Sequence, residues 1–226
     1  CIGAGGGFII APALMSAGVK GILAVGTDLF HIFAKAIMGS VLHRKMGNVS
    51  VPLAIVFLIG AIIGTTVGAG INRLFYNMNP VLSDAFITTV YTIMLGFLGF
   101  YGMYDYFSAK KAGNTGGAHD GGEGTGMTGI AKTLQGINLP PMVTFDEGLI
   151  PGGRKISWLF LVLSGALVGL AAGIMGVGGG FLTFPIFVYV LGVSSLTTVG
   201  TDIFQIVFTA GYGAVTQYAI YGFIFY

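Results

Sequence analysis

GAGGGFIIAP at residues 3–12 and GVGGGFLTFP at residues 176–185 are the two stretches on which the reading turns. They lie 173 residues apart, and each is followed by a second matched block, VGTDLFH at 25–31 and VGTDIFQ at 199–205, displaced by 174. One extra residue between the proline and the next glycine, Gly18 in one copy and Gly192 in the other, accounts for the change of offset. Two blocks in the same order at the same spacing mark an internal duplication rather than low complexity.

Composition says where such a duplication sits. Apolar residues make up 54% of the 226, and only 10 Lys or Arg and 8 Asp or Glu are present. A soluble fold of this size cannot cover its surface with so few charges, which amount to about a third of the usual fraction. Only Asp28, Lys35 and Asp202 fall inside long apolar runs; the other charges mark loops and boundaries. The net charge of +2 is spread along the chain, so no basic stripe tracks a phosphate backbone and nucleic acid is excluded as a partner. A single cysteine, Cys1, leaves no internal disulfide, no Cys-cluster metal site and no two-thiol relay.

A spanning helix needs about 20 mostly apolar residues. Segments 22–42, 51–71, 84–107 and 157–175 meet that length, and 195–220 does so if Asp202 and Gln205 are sheltered from lipid. The runs 8–17 and 181–191 are too short to cross alone, and each directly follows a glycine cluster. That combination predicts helices broken within the membrane. Backbone freed from helical bonding is tolerated at that depth only inside the bundle. The fold expected is therefore all-α: a polytopic transmembrane helical bundle with a twofold internal repeat and broken or re-entrant helices at the Gly-rich motifs.

The expected organisation is a first transmembrane repeat over 1–107, a polar Gly-rich linker over 108–155 and a second transmembrane repeat over 156–226. The chain begins without Met in a Gly-rich apolar stretch and its last apolar run lacks a polar stop signal, so the sequence reads as an excerpt of a longer protein. Excess Lys and Arg at 43–45, 110–111 and 154–155 puts those loops, and the linker, on the cytoplasmic side, against a single Arg73 in the turn near 72–80. Spans 22–42 and 84–107 then run inward, and 51–71 and 157–175 outward. Parallel and inverted arrangements of the two halves both remain open at this point.

Duplicated halves with a helix interrupted at the same place in each point to a transporter site at the repeat interface near the bilayer midplane. The Gly-x-Gly-Gly-Gly-x4-Pro block followed by a Gly-Thr-Asp block, in two copies, resembles the TauE/SafE family of sulfite-exporter-like permeases. The resemblance covers nearly all the apolar sequence but not 108–155. It implies a multi-pass protein of the bacterial inner membrane that moves sulfite, a sulfonate or a related sulfur oxyanion, with no cofactor. The lipid bilayer and a small anionic substrate are its partners, with a homo-oligomer or partner subunits as further candidates.

Helix N-termini present unsatisfied N–H groups and a partial positive charge, so a break that opens a new helix is a natural anion seat. Gly5, Gly6, Gly7 and Gly178, Gly179, Gly180 suit this, because without Cβ atoms the backbone can approach an oxyanion closely. Close helix packing is the competing reading of the same glycines. Thr27, Lys35 and Thr201 complete the expected substrate-binding set. Asp28, His31 and Lys35, spaced by three and four, share one helical face. They either serve an anion and a proton or form a static Asp28–Lys35 network. In the second copy His31 becomes Gln205 and Lys35 becomes Thr209, so the ionisable pair belongs to one half only. Asp28, His31, Asp202 and Gln205 are assigned to coupling or to positioning the broken helices. No catalytic or metal-binding residue is assigned. An intramembrane enzyme lacks any nucleophile–base, metal or cofactor signature; a non-transporting membrane anchor for a larger sulfur-metabolising or respiratory assembly is the other alternative.

Overall fold

The computed structural model describes residues 7–111, 136, 140–145 and 154–220. The elements are α1 (Gly7–Ser16), α2 (Gly21–Lys45), α3 (Val51–Met78) and α4 (Pro80–Lys111). Strands β1 (Met142–Phe145) and β2 (Arg154–Ser157) follow, then α5 (Trp158–Met175), α6 (Gly180–Leu191) and α7 (Ser195–Val215). Helix α6 is π-wound from Ile186 to Leu191, directly after Pro185, whose missing N–H interrupts the regular ladder. A second π-helical turn, Thr216–Ile220, extends α7.

Helices α2, α3, the Pro80–Phe97 part of α4, and α5 are each long and apolar enough to cross a membrane. They run beyond the apolar runs that announce them, because nothing breaks the helix when the chain reaches its polar boundary residues. Helix α3 extends to Met78 and α4 begins at Pro80, where proline suits a first turn. Leu163 and Leu167 on α5, and Ile59 and Ile63 on α3, are at least half exposed. In water this surface would be a liability; in a bilayer it is the lipid-facing side.

The tightest helix pair is α3 with α5, and its cause is a glycine stripe on each. On α3, Gly60, Gly64 and Gly68 lie against the backbones of Val162, Ala166 and Leu170; on α5, Gly165, Gly169 and Gly173 lie against Phe57, Ala61 and Thr65. A Cβ at Gly68 would come within 2.5 Å of the Leu170 carbonyl oxygen, and one at Gly173 within 2.5 Å of the Thr65 carbonyl oxygen. Small residues at four-residue spacing bring membrane helices to backbone contact, where dispersion replaces the hydrophobic drive that lipid cannot supply. Contacts rise together along both helices, so α3 and α5 are parallel. The loop charges likewise give the two helices a common direction.

The second pair, α2 with α7, carries the matched Val-Gly-Thr-Asp blocks. Gly39 packs on Ile203, Gly211 on Phe33 and Gly213 on Leu29. The register descends on one helix as it rises on the other, so α2 and α7 are antiparallel. Helix α7 starts 174 residues after α2, keeping the offset of the matched blocks, and these two helices point in opposite directions.

The polar connection between α4 and α5 carries a strand pair at its end. Strands β1 and β2 pair antiparallel with Val143 opposite Ile156 and Phe145 opposite Arg154. Their inward residues Val143, Phe145 and Ile156 join a core with Leu53, Phe57, Leu161, Phe187 and Leu191. Alternation over so few residues was masked in the sequence by the glycine-rich stretch before it. Arg154 donates from its guanidinium to the Gly192 carbonyl at 2.6 Å, fastening the hairpin to the C-terminal end of α6. That end of α6 is therefore on the same side as the start of α5. The chain from Gly176 onward returns toward the face it left.

Candidate functional site

A helix end buried in a bundle leaves four carbonyls and, where the next helix starts, up to four N–H groups without intrahelical partners. At the end of α5 every one of the four carbonyls is engaged. The Ala172 carbonyl accepts from the Gly176 N–H at 2.7 Å. Asn72 on α3 donates from its amide to the Gly173 and Ile174 carbonyls at 3.3 and 2.7 Å. Tyr91 on α4 donates its hydroxyl to the Met175 carbonyl at 2.6 Å. Both side chains are buried. Neither was singled out in the sequence; a lone Asn and a lone Tyr within apolar runs were the available signal.

Removing the Asn72 amide strands two buried carbonyls, each costing about 1–3 kcal/mol. Asn72→Leu should therefore lower stability by about 2–4 kcal/mol, seen as a clear drop in the thermal midpoint of detergent-solubilised protein. An unchanged midpoint would show that the break does not depend on this clamp.

The break itself is turned by Gly176, Gly178 and Gly179, at φ of +79°, +70° and +88°. L-residues with a Cβ pay about 1–2 kcal/mol for this left-handed conformation, so glycine is the natural occupant. The Gly179 carbonyl then accepts from the Leu182 and Thr183 N–H groups at 2.9 and 3.1 Å and from the Thr183 hydroxyl at 3.1 Å. The N–H groups of Gly180 and Phe181 meet no acceptor among the described residues. The carbonyl end of the break is closed and the N–H end is open.

The two glycine-led helix starts approach one another. Gly7, the first described residue of α1, faces the Ile32 side chain and lies beside Asp28, whose Oδ2 would be 3.2 Å from a Cβ there. Gly178 faces Ile32 as well, and also Ile206, with their Cγ2 atoms 3.1 and 3.5 Å from a Cβ built on it. Ile32 thus stands between the two breaks. Gly5 and Gly6 lie outside the described residues. Gly179 faces Val168 of α5.

The two aspartates differ. Asp202, 1% exposed, accepts at Oδ1 from the Gln205 amide at 3.0 Å, and Gln205 Oε1 accepts from the Thr209 hydroxyl at 2.7 Å, a buried chain along α7. Asp28 is wholly buried, and neither of its carboxylate oxygens completes a close hydrogen bond, the Ala11 backbone of α1 being the polar group set toward it. His31 Nδ1 is also buried without a partner. Lys35 is exposed on α2, and no hydrogen-bonded ion pair joins it to Asp28, although its charge acts on that carboxyl.

The two threonines of the repeated block also part company. Thr201 is buried and its hydroxyl accepts the Ser50 N–H at 3.0 Å, one of the free donors at the start of α3, while Gly200 rests on the Asn48 backbone. Thr27 donates to the Leu23 carbonyl at 2.8 Å on its own helix. Thr201 therefore holds a helix end in place. Among the described residues no group of three or more His, Cys, Asp or Glu side chains could hold a metal ion.

No curated protein and no solved structure matches the chain. Comparison with protein families matches residues 1–226 to the family described as sulfite exporter TauE/SafE. With membrane-length helices and glycine-led breaks already in place, the match completes the assignment: this chain belongs to the TauE/SafE family, membrane transporters of sulfur-containing anions.

Proposed function

We propose that the chain is a secondary transporter whose substrate is a small sulfur oxyanion, sulfite or a sulfonate, held between the two glycine-led helix starts near the midplane. The observation that carries this reading is the meeting of Gly7 and Gly178 at Ile32, with the N–H groups of Gly180 and Phe181 unengaged nearby. Oriented backbone donors favour an oxyanion without a buried cationic side chain, which would be costly at this depth. In this reading Gly5, Gly6, Gly7, Gly178, Gly179 and Gly180 supply close backbone approach. Lys35 and Thr27 line the approach along α2. Thr201 holds the start of α3, and Asp202 and Gln205 position α7, rather than touching the anion.

The test is flux. Purified protein in liposomes is expected to take up labelled sulfite with saturation and with competition by unlabelled sulfite or a sulfonate. Uptake no faster than in protein-free liposomes for both anions would overturn the reading. Inversion of the matched helices α2 and α7 supports alternating access, in which one half rocks against the other around a fixed seat.

A further inference from the structure

The two copies of the Gly-Thr-Asp block are wired differently, and the difference marks one of them. Asp202 has a donor in Gln205, which is itself held by Thr209. At the matched position on α2 the donor is replaced by His31, and Asp28, at zero exposure, completes no close hydrogen bond through either oxygen. A buried polar group without a partner costs free energy, and a bare carboxylate far more than a neutral one.

The surroundings of Asp28 sharpen the point. Tyr91 of α4 lies within its electrostatic reach, but that hydroxyl is already donated to the Met175 carbonyl. The C-terminal end of α5, where the partial charge of a helix is negative, is therefore on the same side of the site as Asp28. Helices α1 and α5 contain no ionisable residue. On α2 the ionisable neighbours are His31 and Lys35, the latter exposed and acting on it through charge without a hydrogen-bonded pair. Helix α7 offers Asp202, one turn before Ile206, while Asp28 is one turn before Ile32 on the antiparallel helix. The two aspartates consequently lie on opposite sides of the place where Ile32 and Ile206 meet Gly178.

We propose that Asp28 is the seat of a coupling proton: its carboxylate takes up one proton from one side of the membrane and gives it to the other during each transport cycle. This rests on the transporter reading above and adds the ion that drives it. No other bond changes; a carboxylate and a proton become a carboxylic acid and then separate again. A metal cation fits less well, since hard cations require about six oxygen ligands. Around Asp28 the tyrosine hydroxyl and the helix-end carbonyls are already engaged. Asp202, held by Gln205, is the fixed counterpart that does not cycle.

The experiment compares the wild-type chain with Asp28→Asn in liposomes, with the leak seen in protein-free liposomes subtracted. Two quantities are read: exchange of labelled for unlabelled sulfite at equal pH on both sides, and net sulfite accumulation under an imposed pH gradient with the membrane potential clamped. Wild type is expected to exchange and to accumulate, by up to about tenfold for one pH unit, the equivalent of about 1.4 kcal/mol. Asp28→Asn is expected to keep exchange within about twofold, a few tenths of a kcal/mol, and to lose the gradient-driven accumulation. Asp28→Glu, which restores a carboxylate, is expected to recover part of it. Accumulation by Asp28→Asn equal to wild type would overturn the assignment, as would accumulation that follows a sodium gradient instead of pH. Loss of exchange and accumulation together in both variants would make Asp28 structural. If the wild-type chain exchanges no sulfite, the transporter reading fails first and this inference with it.

Discussion

Gly64→Leu is expected to abolish the folded bundle. Its Cβ would be driven into the Ala166 carbonyl and the Leu170 backbone N, 2.6 Å away, and backbone cannot swing aside as a side chain does. Gly60 and Gly68 sit in the same seam one turn on either side, so α3 cannot relieve the clash without lifting off α5 along its length. The cost should exceed about 4 kcal/mol, a large part of the roughly 5–15 kcal/mol that holds a typical protein folded. Gly96→Leu on α4 is the control, because nothing lies within 4 Å of a Cβ there. The check is the fraction recovered as a monodisperse species in mild detergent together with its thermal midpoint. Gly96→Leu should match wild type and Gly64→Leu should yield little folded protein; equal behaviour of the two would refute the packing argument.

Gly178→Leu should act on the site instead of the scaffold. The residue is at φ +70°, so any side chain there costs about 1–2 kcal/mol. Its Cβ points at the Cγ2 methyls of Ile32 and Ile206, 3.1 and 3.5 Å away; these are side-chain atoms that need yield only a little, not backbone, so the bundle is expected to survive. The new side chain nevertheless fills the junction between the two glycine-led starts. Sulfite flux should fall at least about tenfold, the equivalent of about 1.4 kcal/mol, while most of the folded protein is recovered. Flux near wild type in a well-folded Gly178→Leu sample would remove the junction from the pathway.

Much of this architecture was legible because membrane burial leaves coarse marks. Apolar runs of spanning length gave α2 to α5 and α7, and the duplicated Gly-x-Gly-Gly-Gly and Gly-Thr-Asp blocks placed both helix starts. Direction was harder to read. Loop charges oriented α3 and α5, but the opposite senses of α2 and α7 follow from tertiary contacts such as Gly39 with Ile203 and Gly213 with Leu29.

The finer site was legible only in part, for a physical reason. Sequence identity between repeats suggests identical duties, yet partners come from elsewhere in the fold. Thr201 meets the Ser50 N–H from a loop 151 residues away, and Asn72 and Tyr91 reach the end of α5 from 101 and 84 residues away. Helical spacing put Asp28, His31 and Lys35 on one face. It could not reveal that the bundle encloses Asp28 while leaving Lys35 outside. The glycine stripes on α3 and α5 show the converse: their four-residue spacing is plain in the sequence, but only the partner backbone shows which glycines are packed and which, like Gly70, face open space.

Equilibrium binding of labelled sulfite to the purified wild-type chain and to Gly178→Leu tests the central claim most directly, since it needs neither a gradient nor an assumed direction of movement. The account predicts saturable binding at one site per chain in wild type, displaced by a sulfonate, and its loss in the folded variant. Equal saturable binding by the two proteins would contradict it, because the anion would then be held away from the place where the broken helices meet.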